Sequence, residues 1–568
     1  MKSLPSFPLE IRLLEDASLE LVDCERGERL LIVPGARLLL PGFAADATLV
    51  DACVEGAEMR LRYAASSLGE AVVILRACDP GFSIEGVFVP AEDVELERLE
   101  IVPKGTQIAC YEIRAFRFRH GTERSWPDCP LETDFEIDTT SCDWQFAPHP
   151  TALLFARHDT HLFLGATCAP VGGYGLHAKG SQNRFDELFL DYGQEGWGME
   201  LPRDEPWRTP VFRLFVERTA DTYATYARFG EILVREGAIP DPARRSPVPW
   251  HREHVYCTWI DQMNLASIMT DAEVKRRASD SGDMHSRTAL PLDEAMVREA
   301  AALILREKLP IRSILLDGGW SINSADYRAD PVRFPDLRRL VDDLHALGFK
   351  VLVWWSWAEV RGAAGEAALG IHNAILDGKR NRHGSIIGDF SKKSTQEEYL
   401  RPMFRRLFSS DPGCYDLDGI KTDYMADKVH PDMPAEDPAW RGEENYILRL
   451  YRFCMGEMRR HKPDAMHIGA AGNYFLAEVT DVNRTFDVAG DLVEAHVERA
   501  RMLAATTPGV PPVFDMHIFR TRRRDYLRAA KAMGLATHVG ELFTTRDDLF
   551  APVTKMDEAD YRELREEL

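Results

Sequence analysis

Residues 313–357 read SILLDGGWSINSADYRADPVRFPDLRRLVDDLHALGFKVLVWWSW and contain the pattern that decides the fold. SILLDGGW is an apolar strand that ends in polar residues, and PDLRRLVDDLHALGF carries apolar residues at helical spacing. KVLVWWSW is a second apolar strand. A strand, a helix and a strand in this order predict a parallel βαβ unit, because the helix carries the chain back to the starting edge of the sheet.

The same unit recurs through the second half of the chain. Helical patterns separate most of the eight strand candidates, which are HVYCTWI, SILLDGGW, KVLVWWSW, DGIKTDY, AMHIGAAG, VNRTFDV, PVFDMHI and THVGELF. Eight alternating strands over about 300 residues predict a (β/α)8 TIM barrel, which we place at residues 253–568. One of its helices, over 394–408, is expected to open with a capping box from Ser394 to Glu397.

The first half has a different pattern. Short runs of period two, such as AVVILRA and FSIEGVFVP, alternate with Gly and Pro turns, and helical patterns are almost absent. This predicts a large antiparallel β-sandwich over residues 1–235, closed by one helical stretch. Residues 236–252 are rich in proline and are interpreted as an extended linker between the two domains.

Composition narrows the function. The chain has 568 residues and a net charge of −22, which disfavours nucleic acid and anionic membranes as partners. Its ten cysteines form no C-x-x-C motif, and no apolar stretch reaches membrane-spanning length, so we expect a cytoplasmic protein without metal or cofactor. The run around Arg520 and Arg522 to Arg524 is interpreted as the solvated start of a helix. The sequence leaves open whether the chain forms a homo-oligomer.

Catalytic groups of such barrels lie where the strands end. Acids and tryptophans dominate the polar residues at these points, a combination suited to sugar hydroxyls, glycosidic bonds and the flat faces of sugar rings. The residues themselves therefore favour a glycosidase. They are Trp259, Asp261, Asp317, Trp320, Trp354, Trp355, Trp357, Lys421, Asp423, Asn473, Arg484, Asp487, Asp515, His517 and Glu541.

Two carboxylates are needed for glycoside hydrolysis. Asp423 and Lys421 fall on one face of a strand, where the ammonium would keep the carboxylate ionised as a nucleophile requires. The alternative is a structural salt bridge in the barrel lumen. Asp487 is the candidate acid/base, with a helix-start Asp as its structural alternative and Asp481 as the runner-up for the catalytic role.

The spaced set HVYCTWI, SILLDGGW, FPDLRRLVDDLHALGFKVLVWW, GIKTDY and RTFD resembles the clan of retaining α-glycosidases. That clan holds the α-galactosidases of families 27 and 36 and the α-glucosidases and α-xylosidases of family 31. The resemblance covers roughly 240–545 well and 1–235 in outline. It is closest in layout to family 36, whose members also begin with a large β-sandwich. It implies a retaining, α-galactosidase-like exo-glycosidase that acts through a covalent glycosyl-aspartate intermediate.

The resemblance also implies roles for single residues. Asp423 would be the nucleophile and Asp487 the acid/base. Lys421, Arg484 and Asp317 would bind the hydroxyls of the sugar. Trp126 resembles a tryptophan that the family 36 sandwich lends to the active site, and the remaining predicted substrate contacts at the barrel rim are Trp259, Trp320, Trp354 and Asn473.

Three departures from the family pattern keep alternatives open. Gly318 replaces the second acid of the Asp-Asp-Gly-Trp motif, which puts strict galactose specificity in doubt. NRTFD is closer to family 27, and the usual C-terminal β-domain is expected to be missing after the barrel. The alternatives are an α-glycosidase of gluco, xylo or modified-sugar specificity, a transglycosylase, and an inactive sugar-binding barrel.

Overall fold

The computed structural model describes the larger part of both predicted halves of the chain. The described residues are 2–33, 35–40, 43–65, 67–108, 112–113, 135–138, 152–157, 159–169, 173–181, 184–193, 199–268, 291–323, 325–357, 360, 362–374, 386, 388–423, 435–470, 472–485, 492–516 and 519–568.

The N-terminal half is built from short strands. They are β1 (Lys2–Ser6), β2 (Leu9–Leu13), β3 (Leu19–Asp23), β4 (Glu28–Val33), β5 (Ala36–Leu40), β6 (Phe43–Glu55), β7 (Glu58–Ala64), β8 (Gly69–Ala77), β9 (Phe82–Pro90), β10 (Val94–Leu96), β11 (Arg98–Ile108), β12 (Glu112–Ile113), β13 (Phe135–Asp138), β14 (Ala152–Arg157), β15 (Thr160–Ala166), β16 (Gly173–Ser181), β17 (Arg184–Gly193), β18 (Met199–Leu201), β19 (Trp207–Arg208) and β20 (Phe212–Arg218).

All described pairings among these strands are antiparallel. One layer contains the meander β1–β2–β3–β4, and another contains β6–β7–β8–β9 followed by β20, β15 and β14. In β7 the side chains of Met59, Leu61 and Tyr63 are buried and alternate with exposed arginines, as the period of two requires. One apolar cluster fills the space between the layers. The predicted antiparallel sandwich is confirmed.

The C-terminal half alternates strands and helices. Its strands are β21 (His254–Cys257), β22 (Ile311–Leu316), β23 (Lys350–Trp355), β24 (Gly419–Thr422), β25 (Met466–Gly469), β26 (Val482–Arg484), β27 (Pro512–Val513) and β28 (His538–Val539), followed by the hairpin β29 (Thr544–Thr545) and β30 (Thr554–Lys555). The α-helices are α1 (Thr222–Arg235), α2 (Trp259–Ile268), α3 (Glu294–Arg306), α4 (Leu337–Ala346), α5 (Gly362–Leu369), α6 (Arg401–Phe408), α7 (Glu443–His461), α8 (Val493–Thr506), α9 (Arg520–Ala532) and α10 (Glu558–Glu567).

Strands β21 to β28 form a parallel barrel in chain order. Each pairs with the next, β21 also pairs with β28, and a parallel bridge between Phe514 and Thr537 joins β27 to β28. All eight predicted strands are present, so the (β/α)8 barrel is confirmed.

Alternation along these strands separates two cores. Leu315, Leu352 and Ile468 belong to a small cluster inside the barrel, whereas their neighbours Ile314 and Val353 belong to the large cluster under the helices. Every second residue therefore points into the lumen. Ile420 belongs to the outer cluster, so by the same alternation Lys421 and Asp423 face the lumen. Both lie at the carboxyl end of β24, which is the mouth of the barrel.

One local prediction is wrong, and another is confirmed only in part. Ser394 has helical backbone angles and makes no cap hydrogen bond; its hydroxyl instead donates to Asn373 Oδ1 at 2.8 Å, and a π-helical turn (Thr395–Leu400) precedes α6. Helix α9 does begin at Arg520, but Arg523 of the basic run is only 1% exposed. Its burial is possible because Asp560 and Glu563, from outside its own helix, pair with the guanidinium.

Helix α1 joins the two halves. It packs against α8, and Tyr474 Oη donates a 2.8 Å hydrogen bond to the carbonyl of Tyr226. The proline-rich segment after α1 is also packed, since Arg245 Nη1 donates to the carbonyl of Thr480 at 2.8 Å, near the amino end of β26. Within the described residues, no helix is both long and apolar enough to cross a membrane.

Candidate active site

Asp423 lies directly after β24, at the carboxyl end of the barrel. Both oxygens of its side chain accept hydrogen bonds: Oδ1 from Arg484 Nη2, and Oδ2 from Trp354 Nε1 at 3.2 Å. Its backbone N–H donates to the carbonyl of Trp355 at 3.2 Å, which extends the strand pairing by one residue. The side chain is 13% exposed, so the carboxylate is held on two sides and remains reachable from the mouth of the barrel.

Lys421 pairs with Asp317 rather than with Asp423. Its Nζ lies 2.7 Å from Asp317 Oδ2, and both side chains are 3% exposed. Burial alone would raise the pKa of Asp317, but the charge of Lys421 outweighs it and lowers that pKa. Burial opposes the charge of Lys421 as well, yet Asp317 raises its pKa. The pair is therefore fully ionised, and the cation in contact with Asp423 is Arg484.

Asp317 has further fixed partners. Its Oδ1 accepts from the N–H of Gly318 at 2.8 Å, and its Oδ2 accepts from the Cys257 thiol at 3.2 Å. Gln262 donates to the carbonyl of Gly318 at 2.8 Å. Hydrogen bonds from residues of β21 and α2 thus fix the turn that carries Asp317, and they give its carboxylate one defined orientation.

Arg484 joins two carboxylates. It is fully buried, and its Nη1 lies 2.6 Å from Asp515 Oδ2 while Nη2 contacts Asp423. His538 Nδ1 lies 3.3 Å from the other oxygen of Asp515. Burial would raise the pKa of Asp515, but the charge of Arg484 holds it well below its ordinary value. Burial lowers the pKa of His538, so this imidazole is neutral at neutral pH.

The structure brings together six of the candidates at the strand ends, namely Asp317, Trp354, Lys421, Asp423, Arg484 and Asp515. Trp259 begins α2 just beyond β21, is half-buried and packs against the lumen cluster. An aromatic ring at this position is compatible with the predicted sugar contact, which stays a prediction.

Trp320 does not line the site. It is fully buried in the cluster under the helices, its indole N–H donates to the carbonyl of Trp354 at 2.9 Å, and its ring stacks on Tyr327. Position 320 follows the turn at Gly318 and Gly319, which directs the chain outwards from the lumen. Trp320 supports Trp354 from behind, so the predicted sugar contact of Trp320 is wrong.

Several other rim candidates serve local structure. Asn473 is buried, and its Oδ1 accepts from the N–H of Phe475 at 2.9 Å, which starts a 3-10 turn. Asp261 accepts from three backbone N–H groups in 542–544 and from the hydroxyls of Tyr256 and Thr544. The sequence could not separate these polar strand ends from substrate-binding ones, because both types follow apolar runs.

Asp487, His517 and Trp126 lie outside the described residues, so the roles predicted for them stay predictions. Asp481 is described and is unsuited to the acid/base role. It precedes β26, and its carboxylate accepts from Arg459 at 2.8 Å and from the N–H of His467 at 2.9 Å. These contacts lie at the amino end of the barrel, opposite to Asp423.

A group with metal-ligating atoms lies elsewhere. Asp342, His345 and Asp416 approach one another near the amino ends of the barrel strands. Lys462 Nζ already lies 2.9 Å from Asp416, so an ammonium occupies the anionic side of this group. This group lies at the opposite end of the barrel from Asp423.

Comparison with known proteins agrees with this geometry. Residues 230–468 match the family model described as the glycosyl hydrolases family 31 TIM-barrel domain. No curated protein matches the chain by sequence.

Solved structures resemble the whole chain at low identity. The α-galactosidase of Lactobacillus brevis is 12% identical, with a TM-score of 0.56 over 95% of this chain and 71% of that one. The family 36 α-galactosidase AgaA of Geobacillus stearothermophilus, solved with raffinose, is 11% identical, with a TM-score of 0.58 over 100% of this chain and 85% of that one. The α-N-acetylgalactosaminidase NagBb of Bifidobacterium bifidum is 13% identical, with a TM-score of 0.66 over 100% and 92%.

The neighbours share the arrangement of sandwich and barrel, and the family model covers the strands that carry Asp317, Lys421 and Asp423. The expected resemblance to the retaining α-glycosidase clan is confirmed.

Proposed function

We propose that this glycoside hydrolase of the retaining α-glycosidase clan removes terminal α-linked sugars, with Asp423 as nucleophile and Asp487 as acid/base. The observation that carries the proposal is the environment of Asp423. A carboxylate at the end of β24 is fixed through both oxygens by Arg484 and Trp354, yet part of its surface is exposed at the barrel mouth. A nucleophile needs this combination of fixed orientation and access.

The mechanism is a double displacement. Asp487 protonates the leaving oxygen while Asp423 attacks the anomeric carbon, and the bond to the leaving group breaks as the glycosyl–aspartate bond forms. Asp487 then takes a proton from water, which displaces Asp423 and releases a sugar of unchanged anomeric configuration. The ionised Asp317–Lys421 pair offers acceptor and donor atoms to the hydroxyls of the ring.

The substrate class is an α-galactoside or a related sugar. Two of the structural neighbours are named as α-galactosidases and one as an α-N-acetylgalactosaminidase, which supports the galacto configuration and a modified ring. Gly318 removes one acid that would bind a hydroxyl of the sugar. The barrel matches the family 31 model, and the clan that the sequence resembles includes α-glucosidases and α-xylosidases. We therefore expect no stringent preference for unmodified galactose. Hydrolysis and transglycosylation use the same residues, and product analysis separates them.

Nitrophenyl α-glycosides of galactose, N-acetylgalactosamine, glucose, xylose and 6-substituted galactose test the substrate class. We expect at least one of the others to reach the kcat/KM of the galactoside. A galactoside preference of about 10⁴ or more, which an intact hydroxyl-reading site gives, would contradict the interpretation of Gly318. Tight sugar binding without turnover of any glycoside would instead favour the inactive sugar-binding barrel.

Labelling tests the nucleophile. A fluorinated glycosyl fluoride of the preferred sugar should form a stable adduct on the peptide that contains Asp423, identified by mass spectrometry. The Asp423→Ala variant with azide should give the β-glycosyl azide, because azide then attacks directly from the face that the carboxylate has vacated. An adduct on a different residue would refute the assignment.

A further inference from the structure

Asp515 and His538 are two buried polar residues that the proposed reaction does not use. Asp515 follows β27 and His538 begins β28; Asp515 contacts Arg484 of β26 inside the barrel, and His538 contacts Asp515. We infer that Asp515 and His538 are positioning residues that hold Arg484 against the nucleophile Asp423 and limit the share of its charge that Asp423 receives. The inference rests on the proposed function, because it assumes that Asp423 attacks the sugar.

The first step is the geometry of Arg484. A guanidinium presents its N–H groups in a rigid planar fork. Nη1 points to Asp515 at 2.6 Å and Nη2 points to Asp423, so fixing one end of the fork fixes the other. Arg484 has no exposed side-chain surface, and both contacts are therefore little weakened by solvent.

The second step is the rigidity of Asp515. Its Oδ1 accepts from the N–H of Met516 at 3.0 Å and faces His538 Nδ1 at 3.3 Å. Its own N–H donates to the Thr485 hydroxyl at 3.0 Å, and the Tyr526 hydroxyl donates to its carbonyl. Because strands and helices on three sides hold Asp515, it can serve as a fixed anchor for the guanidinium.

The third step is the protonation of His538. Only a ring N–H can donate to the Asp515 carboxylate, so the neutral imidazole must carry its proton on Nδ1. The Nδ1–H group of His538 donates to Oδ1 of Asp515, and Oδ2 of Asp515 accepts from Arg484. His538 thus orients Asp515, and Asp515 orients Arg484.

The final step concerns reactivity. The guanidinium charge of Arg484 is shared among its partners, and removing the Asp515 charge would increase the share that Asp423 receives. A carboxylate that is paired more tightly is stabilised before it reacts and is a weaker nucleophile. Loss of Asp515 should therefore slow the attack and leave sugar binding nearly unchanged.

The test measures the rate and the final stoichiometry of Asp423 labelling by the fluorinated glycosyl fluoride. For Asp515→Asn we expect labelling at least tenfold slower, full final stoichiometry, and a KM within threefold of the parent value. His538→Asn retains a donor near the Nδ1 position and should label within threefold of the parent rate, whereas His538→Leu should be clearly slower than His538→Asn.

Asp418→Asn is the matched control, because Asp418 is a buried carboxylate at the opposite end of β24 that also pairs with a histidine, His345 Nε2 at 2.6 Å. It should label at the parent rate. If Asp515→Asn labels at the parent rate, or if only its final stoichiometry falls, Asp515 has a structural role alone and the inference is wrong. If the parent enzyme itself is not labelled at Asp423, the proposed function fails and the inference falls with it.

Discussion

Replacing Lys421 by methionine should strongly destabilise the barrel. Lys421 and Asp317 are 2.7 Å apart and each is 3% exposed, so the substitution leaves the Asp317 carboxylate as a buried charge without its cation. Removing one partner of a buried ion pair costs about 3–5 kcal/mol. The N–H of Gly318 and the Cys257 thiol stay in place, but neither carries the charge that Asp317 needs.

A double-mutant cycle separates the charge from the packing. Asp317→Asn in the Lys421→Met background removes the unpaired charge, and we expect it to recover more than half of the lost stability. The measurement is denaturant unfolding followed by tryptophan fluorescence. Arg405→Met is the control, since its pair with Asp411 is 2.9 Å long but about 60% and 53% exposed, and it should cost less than about 1 kcal/mol. A Lys421→Met variant that costs less than this control would refute the reasoning.

Three further predictions follow from other sites. Asp487→Ala should lose activity mainly on poor leaving groups and give the α-glycosyl azide with azide, whereas Asp481→Asn should retain the parent kcat; the reverse result would exchange the two roles. The pKa of Asp418 is lowered to about 2, because the partners of the carboxylate outweigh the effect of burial. Asp418 therefore adds about 2 kcal/mol of stability above pH 4, and this contribution is lost as the pH falls from 4 to 2. The pH-dependent unfolding of Asp418→Asn should lack this loss. Burial raises the pKa of Glu541 to about 8. The free energy of unfolding of the parent protein should therefore fall by up to about 5 kcal/mol as the pH rises from 4.5 to 8, and Glu541→Gln should be the more stable protein at pH 8.5. Equal pH dependence of the two proteins would contradict this.

The fold was predictable because its signals are local. Eight apolar runs and the helical patterns between them specify a parallel barrel, since each helix must return the chain to the same edge. Helix α8 (Val493–Thr506) was harder to see, because its apolar pattern is interrupted by His496 and Arg499, which are buried and polar. The capping box predicted at Ser394 does not form, because Ser394 already has helical backbone angles before a π-helical turn and its hydroxyl donates to Asn373.

The site was predictable only in part. Alternation along one strand placed Lys421 and Asp423 together in the lumen, because that relation spans two residues. It could not show that Lys421 pairs with Asp317, 104 positions away, or that Arg484 is the cation on Asp423. Likewise, nothing near Trp320 in the sequence shows that two glycines turn it away from the lumen. Pairings between strands depend on the closed barrel, and they appear only when all strands are in place.

Those pairings leave the described charged residues of the lumen with more negative than positive charge. Among the described lumen residues, Asp317, Asp423 and Asp515 oppose only Lys421 and Arg484, and His538 is neutral because burial lowers its pKa. Lys421 pairs with Asp317, and Arg484 contacts both of the other two acids. The transition state of glycoside cleavage develops positive charge on the sugar ring. Among these described residues, the acids outnumber the cations by one, and this fixed negative charge beside Arg484 stabilises the positive charge on the ring as it forms.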